Sequence, residues 1–138
     1  MENRSCIFCR IVSKEAPASI VYEDEEILAF MDTRPMTVGH ALIIPKKHYE
    51  NIFDVPEELI AKVHKIARRI ALAVREATKA DGISIIQQNG RAAGQEVFHL
   101  HVHVIPRYEG QKLPRFGETP IAFREELDRT STQIKVYL

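Results

Sequence analysis

Apolar residues recur along this chain with two different periods, and the periods divide it into elements. Residues 6–13 (CIFCRIVS) carry Ile7, Phe8, Ile11 and Val12 at helical spacing and predict a short helix, which Ala16-Pro17-Ala18 breaks. Residues 19–22 and 27–32 predict two strands around the acidic turn Glu23-Asp24-Glu25-Glu26. A loop over 33–37 leads to a third strand at 39–45 (GHALIIP). From about 55 to 80, Leu59, Val63, Ile66, Ile70, Val74 and Ala77 recur every three or four residues, as on one face of a long amphipathic helix. Asp54 is its expected N-cap with Glu57 as capping-box partner, and Gly82 its expected stop. Lys62, Lys65, Arg68, Arg69, Arg75 and Lys79 fall on the opposite, solvated face. Strands at 83–88 and 98–106 follow, separated by the loop Asn89-Gly90-Arg91-Ala92-Ala93-Gly94-Gln95. Residues 114–120 look irregular, and 123–138 read as a helix or as a helix followed by a strand. This order gives an α+β class: a mainly antiparallel sheet of about five strands, one long helix and a short N-terminal one.

Composition narrows the picture. At 138 residues the chain is the size of one domain, expected to span 1–138 with a core over about 6–108 and a tail over 109–138. Nineteen basic residues balance nineteen acidic ones, so no basic excess points to nucleic acid or to a membrane surface. The polar start Met1-Glu2-Asn3-Arg4-Ser5 leads into no secretory apolar region, and no apolar run is long enough to span a bilayer. A cytoplasmic location is the expectation. Cys6 and Cys9 form a Cys-x-x-Cys pair, which in a reducing compartment is more often a metal or redox site than a disulfide. A disulfide and two buried free thiols are the alternatives.

The chemistry concentrates in Phe98-His99-Leu100-His101-Val102-His103-Val104-Ile105. Side chains alternate along a strand, so His99, His101 and His103 project from one face, about 6.6 Å apart, and Leu100, Val102 and Val104 from the other. One such histidine would be unremarkable. Three of the chain's six in strict alternation are a poor fit to chance. A bare three-imidazole metal site is the other alternative, but same-face positions along one strand make a poor tetrahedral tripod. The Gly-containing loop before the row lets backbone N–H groups approach an anion, and Asn89 and Gln95 are neutral donors for phosphate oxygens. Loop polarity explains either residue equally well alone; it is their placement beside the histidines that favours function.

His99-Leu100-His101-Val102-His103-Val104-Ile105 resembles the H-φ-H-φ-H-φ-φ signature of the histidine triad (HIT) family. Further matching stretches are Cys6-Ile7-Phe8-Cys9, Ala29-Phe30-Met31-Asp32 and Gly39-His40-Ala41-Leu42-Ile43-Ile44-Pro45-Lys46-Lys47-His48, with Asn89-Gly90, Gly94-Gln95 and Val97. The likeness covers about 6–108 and is nearest the Hint-like branch in its bacterial and archaeal, zinc-containing form. It implies hydrolysis or transfer at the α-phosphate of purine nucleotides (AMP-type conjugates such as nucleoside phosphoramidates) through a nucleotidyl-histidine. Dinucleoside polyphosphate hydrolysis, or a nucleotide-binding scaffold with residual catalysis, are the alternatives.

Carried over residue by residue, the resemblance makes His101 the nucleophile, with His103, His40 and His99 completing the catalytic set. His103 would hydrogen-bond a phosphate oxygen or the scissile heteroatom, and His40 would support the nucleophile. Backbone N–H groups of Gln95 and Val97 would cradle the phosphate beside Asn89, and Asp32 would receive both ribose hydroxyls. Ile7, Phe8, Ile11 and Phe30 would form the slot for the base; by themselves such residues read equally as core. The resemblance also implies a structural zinc on Cys6, Cys9, His48 and His99, no organic cofactor, and a homodimer whose sheet continues between subunits. The chain departs from the pattern at Glu96, where many relatives of the Hint-like branch carry a small hydroxyl residue able to help protonate an amine leaving group.

Overall fold

The computed structural model describes residues 4–138; the polar start at 1–3, on which part of the expectation about secretory leaders rests, lies outside them. Five strands form one antiparallel sheet: β1 (Ile20–Glu23), β2 (Ile27–Met31), β3 (Ala41–Pro45), β4 (Gly82–Gln87) and β5 (Val102–Arg107), in the spatial order β1-β2-β3-β5-β4. The helices are α1 (Ile7–Val12), α2 (Glu57–Thr78) and α3 (Arg124–Lys135). Among the described residues no helix is long and apolar enough to cross a membrane.

The central strands are buried on both faces, and the two-residue period sorts their side chains into two cores. Ile27, Ala29, Met31, Ala41, Ile43, Leu100, Val102 and Val104 pack with Val63, Ile66, Ile70 and Val74 of α2 and with Leu127 and Ile134 of α3. Leu28, Phe30, Leu42 and Ile44 face the other way, onto Phe8 and Ile11 of α1. Phe30 pairs with Leu42, and Leu42 with His103, so these three side chains form one row on the α1 face. The larger core stabilises the sheet, and the smaller one floors a site.

Several element ends differ from the sequence expectations. Asp54 does not cap α2: its carboxylate accepts from the N–H groups of Glu50 and Asn51, closing the preceding turn. The helix begins after Pro56, because a residue preceding proline, here Val55, is held out of the helical region. At the far end Lys79, not Gly82, takes the left-handed conformation, at φ 59°, and Gly82 opens β4. The tail forms α3 with no strand after it.

The expected strand over 98–106 starts only at Val102. Pro45 ends β3 and brings no N–H to the ladder. The stretch ahead of β5 pairs instead with the chain just past β3, Leu100 N–H donating to Tyr49 O at 2.7 Å. The alternation survives nonetheless: Leu100 lies in the α2-side core, and His99 and His101 lie against Phe8 on the opposite side.

Gly39 sits at a tight junction between β3, α2 and β5. Its φ is +104°, and a Cβ there would sit 2.8 Å from Thr78 Cγ2 and 3.3 Å from Pro106 Cγ. Gly39→Ala is therefore expected to cost about 1–3 kcal/mol of stability through backbone strain and the clash with α2. Urea unfolding of the purified variant checks this; a stability equal to wild type would refute the geometry at this corner.

Candidate active site and cysteine–histidine cluster

A cavity of about 430 Å³ opens on the α1 face of the sheet, within the range of small-ligand clefts. Ile7, Phe8, Ile11, Phe30 and Leu42 line its apolar part, Asp32 and Arg34 one rim, and His101 and His103 its base. Phe8 is the keystone of that wall: its ring meets Phe30 at 5.5 Å, His101 at 5.3 Å and His99 at 5.8 Å, all edge-to-face. Of the residues proposed from sequence for nucleotide binding, Ile7, Phe8, Ile11, Phe30, Asp32, Val97, His101 and His103 line this cavity.

Asn89 and Gln95 do not line it, and both side chains make hydrogen bonds within the protein. Asn89 Oδ1 accepts from Ile52 N and from Gln87 Nε2. The buried Gln95 amide is used entirely within the protein, tying its loop to the chain after β3: Oε1 accepts from Asn51 Nδ2 and Gly90 N, and Nε2 donates to Glu50 O and Val97 O. Its backbone N–H is also committed, to Gly90 O at 3.1 Å. Gln95 staples the loop that carries the triad; of the two proposed backbone donors, Val97 alone keeps an N–H without a protein partner among the described residues.

Backbone contacts assign the histidine tautomers. His101 Nδ1 lies 2.8 Å from His99 O, and a carbonyl only accepts, so Nδ1 carries the proton and Nε2 keeps a lone pair. His40 Nδ1 accepts from Met36 N–H at 3.0 Å, which puts the proton on His40 Nε2. That proton points to His103 Nδ1, 2.9 Å away. His103 therefore accepts at Nδ1 and carries its own proton on Nε2. His40 does not bear directly on His101; its support passes through His103, whose ring meets His101 at 5.0 Å.

Burial keeps this row neutral. It pushes His40 down to about 3, with the nearby His101 as a further cause. His103 falls to about 3 through burial and then through His101 and His40. Burial lowers His101 as well, opposed by its bond to the His99 carbonyl. The same desolvation raises Asp32 to about 6, against the N–H of Arg34. The 3.4 Å contact between Asp32 Oδ2 and His40 Nε2 thus joins a carboxyl to a neutral ring and is not an ion pair.

The second cluster lies on the other side of Phe8. Donor atoms of Cys6, Cys9, His48 and His99 lie within 4.8 Å of one another. Cys6 Sγ is 3.4 Å and Cys9 Sγ 3.6 Å from His99 Nδ1, and Cys9 Sγ is 3.3 Å from His48 Nδ1. Donors on a tetrahedral zinc are separated by about 3.3–3.8 Å, given arms of about 2.0–2.3 Å. His99 Nε2–H donates to Pro45 O at 2.8 Å, which leaves Nδ1 unprotonated and aimed at the cysteines. Chemistry, spacing and tautomer all fit a zinc ion, and no disulfide joins the two cysteines.

Glu96, singled out in the sequence as a departure from the family pattern, also lines the cavity, together with Phe116, Gly117 and Arg34, which no sequence signal marked. Phe116 and Gly117 sit in the irregular tail, where no periodicity marks a contact.

Fold and site together define an α+β protein in which a row of neutral imidazoles opens on a small-molecule cavity. Residues 13–110 match the HIT domain, and the chain belongs to the HIT family. Over the full length of both chains it is 39% identical to a Hit-like protein from Bartonella henselae involved in cell-cycle regulation, with a TM-score of 0.91. A zinc-bound histidine triad family protein from Mycobacterium smegmatis is 41% identical, covers 97% of this chain and 93% of that one, and has a TM-score of 0.86. An adenylylsulfatase of Arabidopsis thaliana is 41% identical over 104 residues; these cover 75% of this chain and 53% of that protein, so the match spans about half the plant enzyme. HIT family members are commonly nucleotide hydrolases.

The raised Asp32 carboxyl has a consequence for stability. A folded-state value above the ordinary 3.8 means the folded protein holds that proton more tightly than the unfolded chain. Stability is then lost as pH rises from about 4 to about 6. Asp32→Asn removes this titration and can still accept from Arg34 N–H. The variant is expected to be more stable than wild type at pH 8 by on the order of 2 kcal/mol, the gap closing toward pH 4. Denaturant titrations at the two pH values measure it, and a variant less stable at pH 8 would contradict the assignment.

Proposed function

We propose that this protein is a nucleotide hydrolase or transferase acting at the α-phosphate of purine nucleotide conjugates, with His101 as nucleophile. The observation that carries the reading is the His101 tautomer, whose Nδ1–H is held by the His99 carbonyl so that Nε2 presents its lone pair beside the cavity. The apolar slot of Ile7, Phe8, Ile11 and Phe30 suits the base, and Asp32 suits the two ribose hydroxyls. With the phosphate above the histidines, Nε2 of His101 attacks phosphorus and the bond to the leaving group breaks, its electron pair departing with that group. The leaving atom takes up a proton, for which His103 Nε2–H is the positioned donor. Water then attacks phosphorus, breaking the phosphorus–nitrogen bond. Its hydroxyl stays on the phosphate, and its proton restores His103. Val97 N–H is the backbone donor for a non-bridging oxygen.

Rapid quenching with a radiolabelled adenosine phosphoramidate is expected to trap a nucleotidyl group on His101, located by peptide mass spectrometry. His101→Asn should lose turnover by at least about a thousandfold while still binding AMP, because the nucleophile acts in the transition state and little in the ground state. Near-normal turnover by that variant would sink the mechanism.

The cysteine–histidine cluster would hold a structural zinc, a reading that the zinc-bound relative supports. Four protein donors leave no open position, so the ion would supply folding energy to the α1 wall and no Lewis acid to the reaction. Both thiols stay reduced in a cytoplasmic setting. Protein purified without chelator is expected to contain about one zinc per chain, and zinc removal should lower Tm by several degrees. Metal-free protein with unchanged Tm would end this assignment. A homodimer joined at β4 completes the proposal: β4 is an edge of the sheet, and Ile85 on it and Leu72 on α2 are exposed.

A further inference from the structure

The chain beyond β5 returns to the site as a strap. Arg34 Nη1 donates to Gly117 O at 3.2 Å and to Thr119 O at 3.5 Å, and Ala122 N–H donates to Thr33 O at 2.9 Å. These ties lay Phe116 on the histidines, its ring 4.6 Å from that of His103 and 6.2 Å from that of His40. On the strap's other side runs Glu96. A Cβ built on Gly117, whose φ is +75°, would stand 3.3 Å from Glu96 Oε2. The strap thus spans the mouth from Arg34 to Glu96, with the ring over the imidazole that faces the departing atom. Phe116, Gly117, Glu96 and Arg34 all line the cavity.

The two cavity charges at the strap are not equivalent. Arg34 is engaged by the strap carbonyls and stands next to Asp32. Glu96 is exposed and makes no ion pair among the described residues. Phe116 and Glu96 line the same cavity, and an aromatic face together with a carboxylate recognises an ammonium or guanidinium group. An anion placed there would meet both the carboxylate and the electron-rich ring face.

We propose that Phe116 and Glu96 form a leaving-group subsite that selects nucleotide conjugates whose departing portion carries a positive charge. The proposal rests on the reading of His101 as nucleophile and adds to it the class of leaving group. Three adenosine 5′-phosphoramidates test it: one of an aminoalkyl amine, one of a carboxyalkyl amine and the unsubstituted amide. Binding is measured by calorimetry to His101→Asn, which does not turn them over. The cationic conjugate is expected to bind about fivefold more tightly than the anionic one at low salt, with the ratio narrowing at 0.3 M salt. Adding Glu96→Gln should bring the ratio within twofold, and Glu96→Lys should invert it. Phe116→Leu should reduce the affinity for the cationic conjugate more than that for the unsubstituted amide. Equal affinities at low salt, or a ratio that survives both Glu96 substitutions, would overturn the subsite. Failure of the unsubstituted amide to bind at all would overturn the nucleotide reading itself, and the subsite with it.

Discussion

The hydrogen bond from His101 Nδ1 to the His99 carbonyl decides which nitrogen of that ring meets the cavity, and much of the surrounding structure serves to hold it. The carbonyl belongs to a residue that is itself immobilised: His99 is fully buried, tied through Nε2 to Pro45 O and through Nδ1 to the cysteines. Phe8 closes over both rings. Gln95, with all its amide hydrogen-bonding capacity spent on its own loop and on Glu50 and Asn51, fixes the chain that leads into the row. On the proposed mechanism, a nucleophile attached to a mobile backbone would lose its alignment with the phosphorus, and alignment is most of what such a site would supply.

Burial does the electronic part. Four imidazoles on one side of a sheet, close enough for ring contacts, would repel one another if charged, and removal from water disfavours the charged forms in any case. Neutrality then turns the His40–His103 contact into a directed donor–acceptor pair, so that the Met36 N–H at one end sets the proton position on His103 at the other. The same dry surroundings are unfavourable to Asp32. Asparagine could make the same bond to Arg34 N–H, so the carboxylate at this position is costly to the fold and fits the ribose-binding role proposed for it.

The parts that periodicity controls were legible in the sequence. Alternation placed His99, His101 and His103 opposite Leu100, Val102 and Val104, and the 3.6-residue stripe placed Val63, Ile66, Ile70 and Val74 in the core. The site's outer shell was not legible, because its contacts join residues far apart in sequence through backbone atoms. Asn89 and Gln95 have the composition of phosphate donors, yet the Gln95 amide is engaged by Glu50 and Asn51, and Asn89 Oδ1 by Ile52 N, from a segment some forty residues earlier. Asp54 has the chemistry of an N-cap, and the proline two residues on decided the helix start instead. Phe116 stands in a segment without period, and backbone ties of its neighbours to Arg34 and Thr33 bring it to the histidines.

The two sides of the sheet divide stability from function unevenly. The α2 side has long helices and a continuous aliphatic core. The α1 side has a helix of six residues, too short to persist by itself in water. Three things hold it: burial of Phe8 and Ile11, the Cys6 thiol accepting from Cys9 N–H at its first turn, and convergence of both cysteines on His48 and His99. Helix α1 supplies Ile7, Phe8 and Ile11 to the cavity wall, and His99 supplies the carbonyl that sets His101. The cysteine–histidine cluster therefore joins this short helix to the backbone atom that sets the tautomer of His101. That connection gives Cys6 and Cys9 a role in the architecture of the cavity wall even though neither lines up with His101 in the row of histidines.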